Sequence, residues 1–392
     1  RELGRDISAD PVDPDSDHLI SLLGPGSLHV DFASSTANGG NSMYGIPINV
    51  VPGTQALVPV VTGSYAAESD PGPAPIPHNP SIEGYYSAST PPSGYTDSGD
   101  HHLLIAVRNE VTGGISALWE LYQAYFDGTS WYAASTARFD LESGAARFKG
   151  WTSGDAAGLP MLPLLTRYDE YANRSMNHAL RVTLDVGAIR NYYVWPARHA
   201  ALSGRFDEGI PFGGRLRLKA AWYEANKASF AGEARAVVDT MYRYGLINAD
   251  IGGMMFLSGV SDERWNQATL MTLQRIPNVA FEVVKIRPGY SFGGPTCVEL
   301  GTSAVYAVAH YPPDDTAFTN NHYPQEDGVG LQNIDRMVRL TTGSPTGAFV
   351  YTPRVAGDHT LTVDQAGEYM MPPPPLRVSV RASCELDAGS PQ

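Results

Sequence analysis

The chain has little cysteine, little lysine and little charge of either sign. Its 392 residues include only two cysteines, Cys297 and Cys384. Two thiols exclude a zinc site made of four cysteines, or of a close cysteine pair with a histidine pair. Both lie in the last quarter of the chain, where one disulfide inside a C-terminal module is the expectation and two inert thiols the alternative. Lysine occurs only at Lys149, Lys219, Lys227 and Lys285, so arginine carries most of the positive charge. Charged residues make up 17% and the formal net charge is −14, a balance that argues against nucleic acid or an anionic membrane as partner. No apolar run reaches membrane-spanning length, so no membrane span is expected. There is also no G-x-S-x-G, no P-loop, no G-x-G-x-x-G after a strand and no H-E-x-x-H. Nucleotide cofactors and the commonest serine and zinc hydrolase mechanisms lose ground with them, and no cofactor is expected.

What is abundant is glycine and proline, 40 and 30 residues, which favour turns over long helices. Short apolar runs between them predict a mainly β chain. The expectation is a large antiparallel sheet domain with a few helices, followed by a C-terminal Ig-like β-sandwich. Residues 1–18 are polar and read as an extended arm. Residues 19–289 form the β-rich core domain, 290–385 the sandwich, and 386–392 a flexible tail. Leu103 to Arg108 and Ala117 to Tyr125 predict a hairpin closed at Val111-Thr112-Gly113-Gly114. Arg215 to Lys219 alternates strictly, predicting one buried and one wet face. The best helix runs from Gly232 to Tyr244, with Gly245 as its left-handed cap. A shorter one is expected from Glu263 to Arg275, capped by Ser261 or Asp262.

The polar residues concentrate between Tyr65 and Glu170, among aromatics. Carboxylates beside flat rings suit a sugar polymer, because paired acids cleave glycosidic bonds and rings stack on pyranose faces. Glu120 sits in mid-strand, and alternation puts it on the face of Tyr122, opposite Trp119 and Leu121. Asp155 lies in a bend of small residues that would let a ligand come close. These two are the first candidate pair, with Glu83, Asp100 and Asp169 in reserve. Trp119, Trp131, Trp151, Tyr85, Tyr86 and Tyr122 are candidate sugar platforms, with Arg167 and His178 as further substrate contacts. Asp100 and His102 would share a face, as an acid–base pair or as metal ligands. Arg167 and Asp169 would share a strand face as an ion pair. Each residue also has an ordinary structural role: a capped turn, a packed bend or a salt bridge.

Three functions follow. The first is a secreted glycoside hydrolase with two carboxylates. The second is a non-catalytic extracellular protein that binds glycans or self-associates at the cell surface. The third is a polysaccharide lyase using His178, Arg181 and Tyr192 or Tyr193, which the acidic net charge disfavours for uronate polymers. A start at Arg1 and the sequon Asn173-Arg174-Ser175 fit an expectation of processing and secretion.

Two resemblances add to this. Phe349-Val350-Tyr351-Thr352-Pro353, followed by Ala356-Gly357-Asp358-His359-Thr360-Leu361-Thr362-Val363, resembles the closing strands of bacterial Ig-like modules. Over roughly residues 10–285 another set recurs in a familiar order. It runs through Ser69-Asp70-Pro71-Gly72-Pro73, Ile82-Glu83-Gly84, Gly99-Asp100-His101-His102, Trp151-Thr152-Ser153-Gly154-Asp155, Arg167-Tyr168-Asp169-Glu170 and Trp195-Pro196-Ala197-Arg198-His199. This set resembles a group of uncharacterised secreted bacterial proteins that often accompany carbohydrate-active or Ig-like modules. The resemblance implies secretion and one extended core domain. The group has no established catalytic residues, so no site residue is carried over.

Overall fold

The computed structural model describes residues 2–33, 45–84, 99–148, 150–201 and 208–285, and the strands of the C-terminal region. The chain divides into two units, Arg1–Ile286 and Arg287–Gln392. It is mainly β, as the glycine- and proline-punctuated apolar runs imply.

In the first unit the expected single antiparallel sheet is instead several mixed sheets. The largest has six strands: β1 (His29–Asp31), β14 (Phe256–Ser258), β9 (Leu180–Leu184), β13 (Leu246–Ile251), β12 (Arg215–Leu218) and β15 (Phe281–Val283), in that spatial order. Pairings β1–β14 and β9–β13 are parallel and the others antiparallel. A second sheet orders β2 (Ile48–Val51), β4 (Leu103–Arg108), β5 (Ile115–Tyr122) and β8 (Ser135–Asp140). The expected hairpin is β4–β5, with Leu104 opposite Glu120. Three short strands, β3 (Val60–Thr62), β7 (Trp131–Ala133) and β6 (Tyr125–Phe126), form a third sheet. The pair β10 (Ile189–Tyr193) and β11 (Ile210–Phe212) forms the fourth.

Among the described residues, three apolar clusters hold these layers. The largest packs the six-stranded sheet against helix α4 (Gly232–Arg243), through Val182, Leu216, Leu246, Val237, Val238 and Met241. Burying such side chains contributes roughly 1.5–3 kcal/mol each. The four-stranded sheet is apolar on both faces. Leu103, Ile105, Trp119, Leu121 and Trp131 pack on one, and Leu104, Ala106, Leu118, Ala137 and Met161 on the other. This arrangement removes Trp119 and Trp131 from any sugar-binding surface, since both are core residues less than a tenth exposed.

Helix α4 ends where periodicity and Gly245 place it, and Gly245 adopts φ +75°. The helix expected from Glu263 is shorter: α5 (Gln267–Leu270) continues as a 3-10 turn to Arg275, and Asn266 is its cap, accepting from Thr269 N–H. Three further helices are too short for periodicity to reveal. They are α1 (Ser16–Ser21), α2 (Tyr168–Ala172) and α3 (Ala220–Asn226). The wet face expected for Arg215 to Lys219 is covered: Arg215 and Arg217 are both buried. The N-terminal arm lies over them, with Arg215 donating to the carbonyl of Glu2 and Arg217 to that of Ile7.

The second unit has the two-sheet layout of an Ig-like β-sandwich. One sheet contains β16 (Tyr290–Gly293), β18 (Ala304–His310) and β22 (Thr346–Tyr351). The other orders β17 (Cys297–Glu299), β24 (Leu376–Arg381), β23 (Gly357–Gln365), β19 (Thr319–Glu326) and β20 (Val329–Gly330), with β21 (Val338–Thr341) also paired to β19. Leu361 and Val378 are fully buried in it. Cys297 begins β17, while Cys384, and with it the expected disulfide, lies outside the described residues.

Candidate functional site

A cleft of about 210 Å³ opens in the first unit. Tyr65, Asp100 and Tyr122 line it, together with the 152–156 loop, His199 and Asp250. Beneath it lies a set of buried charges, and each is placed by a specific local feature.

Arg181 projects from β9. Its Nε and Nη2 donate to Asp155 at 2.7–3.1 Å, Nη2 also to Asp250 at 3.0 Å, and Nη1 to Ser258 Oγ at 2.5 Å. One guanidinium thus bridges two carboxylates, using the planar fork that lysine lacks. Burial alone would make Arg181 a weaker base, but Asp155 and Asp250 outweigh it and shift its pKa upward.

Asp250 is brought in by a bulge. The register between β13 and β9 shifts between Asn248 and Asp250. Bulges re-aim side chains in this way. The Ala249 carbonyl accepts from Ala157 N–H at 2.9 Å and docks the loop that carries Asp155. Asp250 Oδ1 accepts from the amides of Ala156 and Ile251 at 3.2 and 2.8 Å. Its carboxyl is only 14% exposed. Burial, then the negative charge of Asp155, pushes its pKa up to about 7 against the pull of Arg181.

Glu83 and His102 form the second pair. His102 Nδ1 lies 2.6 Å from Glu83 Oε2, and His102 Nε2 lies 2.9 Å from the Gly154 carbonyl. Both neighbours are acceptors, so both ring nitrogens carry protons. Burial opposes this charge, but the Glu83 carboxylate prevails and raises the imidazole to about 10. Glu83 moves the other way, below the usual carboxylate range: His102 outweighs its own desolvation. Asp31, at the end of β1, is raised by burial and then by Glu83.

Glu120 lies on the face of β5 opposite Trp119, as alternation predicts, but that face is sealed and Glu120 is fully buried. It does not line the cleft. Its oxygens accept from Gly154 and Met161 amides at 3.0 and 2.6 Å, tying the loop to the sheet. Burial, then Asp155, pushes it up to about 8. Gly154 permits this approach, since a Cβ there would meet Met161 Sδ at 2.7 Å and Glu120 Oε2 at 3.0 Å.

The other candidate residues separate. Asp100 reaches the cleft, but its partner is the Tyr122 hydroxyl, while His102 pairs with Glu83. His101 adopts φ +48°, which breaks the expected alternation just before β4. Asp155 and Tyr122 line the cleft as well. Arg167 pairs with Glu170 rather than Asp169, because residues 168–172 form α2 and not a strand. Asp169 is 74% exposed and faces Arg264 at 2.8 Å. His178 binds Glu170 at 2.7 Å. Tyr85 and Tyr86 lie outside the described residues. Trp151 is half-buried beside the cleft, next in sequence to Thr152, which lines it. Sequence reasoning missed Asp250, whose signal was an acid inside the apolar strand Leu246–Ile251, followed by Gly252-Gly253.

His102, Asp155 and Asp250 bring one donor atom each within 4.8 Å of one another, a set that could hold a cation. As they stand, both histidine nitrogens point at acceptors and Arg181 occupies both aspartates. The cluster therefore balances its carboxylates with its own imidazolium and guanidinium.

No family model and no curated protein matches the chain. Among solved structures it is similar to a CARDB domain from Pyrococcus furiosus, at 17% identity over 24% of this chain and 88% of that one, TM-score 0.18. A putative membrane-anchored protein from Corynebacterium diphtheriae is 14% identical over 30% of this chain and 25% of its own length, TM-score 0.22. A superoxide reductase (neelaredoxin) from Ignicoccus hospitalis is 16% identical over 24% and 80%, TM-score 0.19. At such scores none bears on function. Among the described residues no helix is long and apolar enough to cross a membrane.

Proposed function

We propose that the cleft is the active site of a secreted glycoside hydrolase acting on a neutral or cationic polysaccharide. One observation carries this reading: an aspartic acid raised to about 7 lines a tyrosine-walled cleft that a second, exposed carboxylate also lines. Asp250 is the general acid. Its Oδ1 is taken by two amides and its Oδ2 by one guanidinium N–H, which leaves one position on Oδ2 for a transferable proton. A carboxyl that keeps its proton near neutral pH can protonate the departing glycosidic oxygen. Asp100, steadied by the Tyr122 hydroxyl, is the second carboxylate, serving as nucleophile or as base for water. Asp155 and Arg181 position Asp250 without touching substrate. Tyr65 and Tyr122 wall the sugar site, their ring centroids 6.4 Å apart.

A protein that only binds glycans would share the aromatic walls but would have no use for a buried acid kept protonated. Reducing-end release from neutral and cationic polysaccharides tests the difference. Asp250→Asn and Asp100→Asn should each lower the rate by about 10²–10⁴ with folding intact. Absence of reducing ends from every polymer with the unaltered protein would overturn the hydrolase.

A further inference from the structure

Four residues before Thr152, which lines the cleft, Phe148 is 59% exposed. Its ring meets Trp151 edge to face, with centroids 5.1 Å apart at 64°. Trp151 is itself held from within. The buried Arg147 guanidinium lies 5.5 Å from the Trp151 ring and is anchored by an ion pair to Asp70. The turn is fixed by Gly150, at φ +78°, whose N–H donates to the Arg198 carbonyl at 2.7 Å. An exposed aromatic on so constrained a turn is presented, not merely unburied.

The turn also continues the cleft. Thr152, next to Trp151, lines the cleft, and its N–H donates to Glu68 at 3.1 Å. Glu68 lies 3.3 Å from His199, a cleft residue, and shares a short helical turn with Tyr65, another. The surface therefore runs from Tyr122 and Tyr65, past Glu68 and His199, to Trp151 and Phe148. Rings at both ends with hydrogen-bonding groups between them match the alternation of a sugar polymer, whose pyranose faces are apolar and whose edges carry hydroxyls.

From this we infer that Phe148 and Trp151 form a distal subsite for a pyranose ring of a polymer seated in the cleft. The inference rests on the reading of the cleft as a glycan site. The ligand class is a hexopyranose or pentopyranose with mostly equatorial substituents, which offers a flat C–H face. Uncharged or cationic sugars fit, because the carboxylates of Glu68 and Asp100 line or flank the path and would repel uronates. Such a subsite gives the protein a preference for long chains over short glycosides.

The test uses the full chain carrying Asp250→Asn, with affinity electrophoresis in gels containing mixed-linkage glucan, xylan or glycol chitosan. The host variant should be retarded by at least one polymer. Adding Phe148→Ala should weaken that retention about tenfold, while Phe148→Tyr should keep it. Circular dichroism should be unchanged in both, as expected for an exposed ring. If Phe148→Ala binds as tightly as its host, the subsite is wrong and the cleft reading stands. If the host binds none of the polymers, both fall.

Discussion

Two concave regions of the first unit use the same residue types and differ in how they treat charge. Beneath the cleft, Arg181 serves two carboxylates and His102 a third, with both cations buried and Glu83 only partly exposed. A second groove of about 560 Å³ lies between α2 and α4, lined by Tyr168, Glu170, Arg174, Arg235, Asp239 and Tyr244 among others. There Arg235 pairs with Asp239 one helical turn away, and Arg243 with Asp6, at the solvent surface. Pairs of that kind contribute about 0–1 kcal/mol. The contrast shows that charge content alone does not perturb protonation. Removal from water does, because it makes each partner's presence decisive for the other's charge.

The comparison is most easily broken at Arg181. Arg181→Leu leaves Asp155 buried without its counter-charge, and a loss of about 3–5 kcal/mol is expected from urea unfolding midpoints. Should the same change at Arg235 cost as much, the contrast would collapse.

The second prediction concerns pH. Asp250 and Glu120, at about 7 and 8, keep their protons in the folded protein where the unfolded chain has lost them. Folding therefore binds protons between about pH 4 and 8, and stability falls as pH rises through that window. His102 acts in the same direction: its contribution is complete below about 6.5 and is lost as pH rises through about 10. Glu83 reverses the trend at the acid end, since its contribution disappears once it is protonated. Thermal unfolding should show greatest stability near pH 5 and a decline of several kcal/mol by pH 8. Asp250→Asn should flatten the slope between those values, and an unchanged slope would remove Asp250 as its source.

A smaller effect is expected for Glu83→Gln, about 1–3 kcal/mol from a weakened charged hydrogen bond. Its sharper signature is in NMR: His102 should show no titration between pH 5 and 8 in the unaltered protein and should titrate there in the variant. The smallest effect is Asp239→Ala in the solvated groove, expected to change the denaturation midpoint by about 0.5 kcal/mol or less.

Much of this was legible in the sequence, unevenly. Alternation through Trp119-Glu120-Leu121-Tyr122 correctly placed Glu120 and Tyr122 on one face and the tryptophan opposite. It could not reveal that the Glu120 face is sealed by Met161 and the 152–156 loop, a packing fact of long sequence separation. Glu83 and His102 were both candidates, but their pairing spans 19 residues and depends on the turn at His101. Arg181 stood out only as a possible lyase residue. Its role depends on parallel pairing of β9 with β13, and periodicity says nothing about which strands are neighbours. The five residues of α2 read as a strand because one helical turn has no measurable period.

The N-terminal arm over Arg215 and Arg217 has a consequence in time. Its contacts join residues 213 and 210 positions apart. During synthesis residues 2–10 emerge long before the strand they cover exists. They must remain unengaged until more than half the chain has followed, and Arg215 and Arg217 each lack one acceptor until those residues return. Assembly of this unit should therefore be slow and strongly dependent on residues 2–10, whose place is completed only by a strand more than 200 positions later.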